Sequence, residues 1–199
     1  MSHYYSEEQN VASNPVHFTY TYEESKLELK TDSGVFSKGS IDFGSDLLVR
    51  VFLKESVGDA SILDVGCGYG PIGLMVAKIH PENRVHMIDV NGRALELAQL
   101  NAQNNGISNV TIYKSDALDS VASSFDAVLT NPPIRAGKEV VNKILDQSYD
   151  KLNTKGALYV VIQKKQGMPS AKKRMTELFG NIEVLAKDKG YYILKSVKG

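Results

Sequence analysis

Apolar and polar positions change period several times along this chain, and each change marks an element. Val16-His-Phe-Thr-Tyr-Thr-Tyr22 and Lys26-Leu-Glu-Leu-Lys30 alternate, as strands with one face against a core do. Glu23-Glu24-Ser25 between them makes the pair a β-hairpin, and Thr31-Asp32-Ser33-Gly34 reads as a turn. A helix is predicted over about 44–55, with Leu47, Leu48, Val51 and Phe52 on one side. From residue 61 onward, short apolar runs alternate with helical stretches. Strands are expected at 61–65, 84–90, 110–113, 125–130 and 157–163. Helices fall between Pro71 and His80 and at 92–104, 138–151 and about 170–179. In the second of these Ala94, Leu95, Leu97, Ala98 and Ala102 point inward; in the third Val141, Ile144, Leu145 and Ser148 share one face. Such alternation builds a parallel sheet with helices on both faces.

The end of the chain departs from that rule. Strands at 182–187 and 191–196 are joined only by Asp188-Lys189-Gly190, too short a loop for a parallel crossover, so they form an antiparallel hairpin. The expectation is therefore an α/β protein with a mostly parallel seven-stranded sheet whose last strand is reversed. Residues 1–56 are expected as a hairpin and helix packed on a core of 57–199, and the hairpin edge as a place where a second copy could pair.

Chemistry enters at Ser61-Ile-Leu-Asp-Val-Gly-Cys-Gly-Tyr-Gly-Pro-Ile-Gly73, where a strand ends in an acid and a glycine loop opens a helix. That arrangement brings backbone N–H groups close to a bound ligand. Pro71 suits the first helical turn, where its missing N–H has no partner to lose. It also stands where the dinucleotide fingerprint needs its third glycine, and the Gly-Lys-Ser/Thr ending of a phosphate loop is absent.

Composition narrows the choice of partner. Lys and Arg total 23 and Asp and Glu total 23, so nucleic-acid binding would rest on a local basic patch. Cys67 is the single cysteine, which excludes an internal disulfide and a cysteine-rich zinc site, and the four histidines have no metal-ligand spacing. The first residues lack the apolar stretch of a signal peptide, and no run reaches the length of a membrane span. A cytoplasmic protein without metal is expected, monomeric or homodimeric.

Two further positions close the argument from residues. Asp89 ends the second core strand, where an acid can accept from both ribose hydroxyls of a nucleoside or can cap the next helix. Asn131-Pro-Pro-Ile134 follows the fourth core strand, at the edge where open α/β sheets bind ligands. Its prolines hold a rigid extended turn. The Asn131 side-chain carbonyl and the Pro132 backbone carbonyl are thereby offered as two acceptors to one planar amino group. Gripping both hydrogens favours the pyramidal, positively charged nitrogen of the transition state.

Asp64-x-Gly66-x-Gly68-x-Gly70 resembles motif I of the class I S-adenosylmethionine-dependent methyltransferases. With Gly34-Val-Phe-Ser and Asn131-Pro-Pro-Ile-Arg-Ala-Gly-Lys138, the chain looks like the RsmC-type members, which methylate the 2-amino group of a guanine in small-subunit ribosomal RNA. The resemblance implies a Rossmann-like class I methyltransferase fold, S-adenosyl-L-methionine as cofactor, and ribosomal RNA or the small ribosomal subunit as partner. It implies a cofactor site of Asp64, Val65, Gly66, Cys67, Gly68, Gly70, Asp89, Val90, Asp116, Ala117 and Asn131, with Asp64 facing the cofactor's amino group and Asp116 near adenine. Capping a short helix competes for Asp116. Catalysis is assigned to Asn131, Pro132, Pro133 and Ile134, and substrate contact to Phe36, Lys38, Arg135 and Lys138. Arg135, Lys138, Lys143, Lys164-Lys165 and Lys172-Lys173-Arg174 are the basic residues available to track phosphates. Two departures stand out: the duplicated amino-terminal domain of the best-known members has no counterpart here, and Ile134 replaces an aromatic residue that stacks on a base. Adenine amino groups and protein glutamine side chains are alternative acceptors, and a non-catalytic module that binds RNA or a partner is the alternative from another class.

Overall fold

The computed structural model describes residues 11–35, 39–55 and 58–199. The hairpin is β1 (Val16–Tyr22) against β2 (Ser25–Thr31), and α1 (Phe43–Glu55) follows. The core then runs β3 (Ser61–Val65), α2 (Pro71–Ile79), β4 (Arg84–Asp89), α3 (Gly92–Asn104), β5 (Val110–Lys114), β6 (Phe125–Thr130) and α4 (Lys138–Lys151). It ends with β7 (Leu152–Gln163), α5 (Met168–Phe179), β8 (Glu183–Asp188) and β9 (Tyr191–Val197). The seven-stranded sheet has the order β5-β4-β3-β6-β7-β9-β8, parallel except for β9, which lies antiparallel to both neighbours. This is the expected sheet. Strand β7 begins earlier than Gly156, because Leu152 already pairs with Phe125 before an irregularity ahead of Ala127.

Period-two alternation divides the strand side chains between two apolar layers. Ile62, Ala127, Leu129, Tyr159, Val161 and Ile193 face one side, where α1, α2, α3 and the hairpin's Tyr20, Tyr22, Leu27 and Leu29 complete a continuous cluster. Leu63, Val65, Val128, Leu158, Val160 and Leu194 face α4 and α5 on the other. Helix α2 is buried from Pro71 through Ala77, because the sheet lies on one side and α1 and β2 on the other. Helix α1 turns Leu48, Val49 and Phe52 inward and leaves Leu47 and Val51 only half-buried, a rotation of the expected face.

The edge of β2 away from β1 is not free for another strand. Asn101 of α3 accepts from Lys30 N–H (2.8 Å) and donates to the Lys30 carbonyl (2.9 Å), and Asn105 treats Glu28 the same way. Lys78 Nζ takes the Lys26 carbonyl. Helix side chains thus satisfy alternate backbone groups that a second copy would need, which removes this edge from the expected pairing surface. No helix of the described residues is long and apolar enough to cross a membrane.

Candidate active site

The sheet order reverses between β3 and β6, whose carboxyl ends are neighbours: Val65 is opposite Thr130, and Thr130 Oγ1 donates to the Val65 carbonyl at 3.0 Å. The next residues, Gly66 and Asn131, are therefore side by side at the position where doubly wound sheets hold ligands. A Cβ on Gly66 would lie 3.9 Å from the Asn131 backbone oxygen. A cleft of about 260 Å³ opens here. Its wall includes Gly66, Cys67 and Gly68 of the loop, Asp89 and Asn91, Asn131 to Arg135 of the turn, and Gln163 and Tyr191.

The glycine loop is anchored from below. Gly66 and Cys67 N–H both donate to the Ile88 carbonyl at 2.9 Å, and Gly68 N–H donates to Asp89 Oδ2 at 2.8 Å. Gly68 has φ +57° and a Cβ there would meet no protein atom within 4 Å, so the backbone itself faces open space. Asp89 Oδ1 accepts from Asn91 N–H at 2.9 Å. Burial raises the Asp89 pKa, and these backbone N–H groups oppose the rise. Val90 N–H is a third backbone donor to this carboxylate, which leaves one of its four lone-pair positions for a further donor.

Asp64 lies under the loop rather than on the cleft wall. It is 1 % exposed; Oδ2 accepts from Gly73 N–H at 3.0 Å, and Oδ1 is sealed from solvent without a hydrogen-bond partner. A side chain at Gly73 would collide with Met87 and reach 3.0 Å from that same carboxylate, so helix α2 needs glycine there to approach it. Burial, reinforced by the Asp89 charge and opposed by the Gly73 bond, pushes the Asp64 carboxyl up to about 7. Burial also pushes the Cys67 thiol well up, which argues against a thiolate nucleophile.

The Asn-Pro-Pro turn has its own internal bond. Ile134 N–H donates to the Pro132 carbonyl at 2.9 Å across Pro133 at φ −76° and ψ 82°, an inverse γ-turn. That bond orients the Pro132 carbonyl and occupies one of its two lone pairs. The Asn131 Nδ2 group donates to Asp42 Oδ2 at 2.9 Å and to Ser45 Oγ at 3.0 Å. Both amide hydrogens are therefore engaged, and Oδ1 is the acceptor left over.

The structure brings together Gly66, Cys67, Gly68, Asp89, Asn131, Pro132, Pro133, Ile134 and Arg135 around the cleft. Asp64, Val65, Gly70, Val90, Asp116, Ala117 and Lys138 are not among its wall residues. The Asp116 carboxylate is 3.7 Å from Lys143 Nζ, which also pairs with Asp119 at 2.9 Å. Arg174 forks onto Asp146 at 2.7 and 2.8 Å. Lys143 and Arg174 are thus tied to acids, whereas Arg135 is an exposed wall residue, and Lys164 and Lys165 are exposed between the wall residues Gln163 and Gln166 in the chain. Phe36 and Lys38 lie outside the described residues. Asp42, Ser45, Asn91 and Tyr191 are wall residues that the pattern did not single out. Asp42-Phe-Gly-Ser45 carries a helix-capping signal, and nothing in it points to Asn131.

A model of the methyltransferase small domain family matches residues 26–195. The chain belongs to that family. Its members of class I draw the methyl group from S-adenosyl-L-methionine, and the sheet described above is theirs. This methyltransferase is 50% identical to "Uncharacterized protein YbxB" of Bacillus subtilis (strain 168), with 98% of each chain covered. It is 30% identical over 182 residues to "Ribosomal RNA small subunit methyltransferase C" of Cronobacter sakazakii, covering 89% of this chain and 52% of that one. The methyltransferase thus spans about half the length of that relative. A solved structure of Thermus thermophilus 16S rRNA N2 G1207 methyltransferase, in complex with AdoMet and guanosine, shares the fold at a TM-score of 0.85 and 22% identity. The match covers 96% of this chain and 52% of that one.

Proposed function

We propose that this methyltransferase transfers the methyl group of S-adenosyl-L-methionine to the exocyclic amino group of a guanine in small-subunit ribosomal RNA. One observation carries the reading: Asn131 Oδ1, with both hydrogens of its own amide already donated, stands beside the glycine loop together with the Pro132 carbonyl. Two fixed acceptors suit a group with two hydrogens to give. They align the amine and stabilise the positive charge that grows on nitrogen as the N–C bond forms and the C–S bond breaks. S-adenosylhomocysteine leaves, and the surplus proton passes to water. No strong base has to act before attack.

The residues suit the donor. Gly66 and Gly68 permit close backbone approach, Asp89 keeps a lone pair for a hydroxyl donor, and Asp64 Oδ1 is a buried acceptor without a partner under the loop. Supplied by that donor is an electrophilic methyl on sulfonium; orientation and charge stabilisation are the work of Asn131 and Pro132. Support for ribosomal RNA comes from the relatives named above and from Arg135, exposed on the cleft wall, with the exposed Lys164 and Lys165 next to the wall residue Gln163 in the chain. Ile134 is half-buried on the wall and offers an apolar face to a base.

Asn131→Ala is expected to leave S-adenosylhomocysteine binding within about threefold while lowering turnover about 10²–10³-fold, the cost of one preorganised polar group. The assay is methyl-labelled cofactor with small ribosomal subunits from a strain lacking the enzyme, followed by nucleoside mass spectrometry. Label in adenine or in a protein glutamine would overturn the choice of acceptor, and wild-type turnover in the variant would overturn the role of Asn131.

A further inference from the structure

Asn131 does not orient itself. Its amide lies against Asp42 and Ser45, which open helix α1 and are 89 and 86 positions away in the chain. Asp42 Oδ2 accepts from Asn131 Nδ2 (2.9 Å), from Ser45 Oγ (2.6 Å) and from Ser45 N–H (3.1 Å); Oδ1 accepts from Gly44 N–H (2.9 Å). The three side chains close a triangle, since Ser45 Oγ donates to Asp42 and accepts from Asn131. The block is held in place. Gly44 packs so tightly under Tyr191 that a Cβ would fall 2.8 Å from its ring, and the Phe43 and Tyr191 rings meet at 5.5 Å.

We infer that Asp42, assisted by Ser45, is a positioning residue for methyl transfer: it fixes which end of the Asn131 carboxamide faces the acceptor. The inference rests on the amino-group reading above. A carboxylate accepts and never donates, so only the NH₂ end of Asn131 can lie against it. Rotated by half a turn, Oδ1 would oppose a negative oxygen, and the NH₂ group would face the hydrogens of the amine it has to hold. Asp42 therefore sets the polarity of the site. Its N-terminal cap bonds give it a second, structural task, and the test has to separate the two.

Asp42→Ser keeps a side chain that caps a helix equally well and is too short to reach Asn131. The expected result is unchanged melting temperature, S-adenosylhomocysteine affinity within about twofold, and kcat on small ribosomal subunits lowered about 10–100-fold, the range that a misplaced catalytic group costs. In ¹⁵N-labelled protein, the Asn131 side-chain NH₂ resonances, identified by their loss in Asn131→Ala, should be slow to exchange in the wild type and solvent-like in Asp42→Ser. This readout needs no substrate and stands if the amino-group reading fails.

A polarity swap isolates the pair. Asn131→Asp sets two carboxylates face to face and should abolish most turnover. Adding Asp42→Asn, whose NH₂ can donate to the new acid, should recover at least about tenfold, a coupling that additive effects do not produce. Rescue supports positioning even if Asp42→Ser does not fold. Turnover of Asp42→Ser within threefold of wild type, exchange rates that do not change, or a double variant no better than Asn131→Asp would each confine Asp42 to capping and overturn the inference. Wild-type turnover in Asn131→Ala, by contrast, would remove the catalytic reading and leave the exchange result to judge the geometry.

Discussion

Asp64 has one partner too few for a buried acid. Gly73 N–H serves Oδ2 while Oδ1 has nothing, and burial lifts its pKa from 3.8 to about 7. An acid with a folded pKa above its unfolded one binds more protons folded than unfolded between those two values. Its contribution to stability is whole below about pH 4 and declines as the pH climbs toward 7. Asp64→Asn keeps an acceptor for Gly73 N–H and removes the titration. The wild-type melting temperature is therefore expected to fall relative to that of Asp64→Asn between roughly pH 4 and pH 7 and to run parallel to it above that. Parallel curves would show that the carboxyl is charged throughout. The sequence marked Asp64 as the acid before a glycine loop. That it lies beneath the loop, with an empty oxygen, depends on α2 pressing Gly73 against it.

Helix α3 shows how an element's polar face can be structural. Its inward positions include Asn101, fully buried between Leu97 and Asn105 at helical spacing, whose amide also donates to the Tyr69 carbonyl at 2.8 Å. Hydrophobic periodicity found the neighbouring Ala94, Leu97, Ala98 and Ala102 and passed over Asn101, because the surface it packs on is the backbone of β2 and not a side chain. Asn101→Ala leaves the Lys30 N–H and two carbonyls without partners. A loss of about 1–3 kcal/mol in denaturant unfolding is expected, the penalty for buried groups left unsatisfied. At the more exposed Asn105, alanine should cost less, about 0.5–1.5 kcal/mol. Equal costs at the two sites would mean that burial does not govern the pairing.

At the scale of the whole molecule, the apolar side chains of the hairpin and α1 pack into the same cluster as the sheet and its helices. Leu27, Leu29, Leu48, Val49 and Phe52 share one cluster with α2 and α3, and α2 has no solvent-facing side in its first seven residues. A chain of residues 57–199 alone is therefore expected to lose its cooperative calorimetric transition and to aggregate, since α2 would present apolar side chains to water. A sharp transition near that of the full chain would make the boundary a true domain boundary. By itself the sequence determined the succession of strands and helices, the reversed end, the glycine loop and the Asn-Pro-Pro turn. Each of these is written in local periodicity or in residues with restricted backbones, and such signals act over a few positions. Tertiary structure alone decided that Asp42 meets Asn131, that Asp64 lies under the loop, and that Lys143 and Arg174 are held by acids. Polar pairs form between whichever residues the strand order makes neighbours, and strand order depends on how two apolar layers close around the whole sheet.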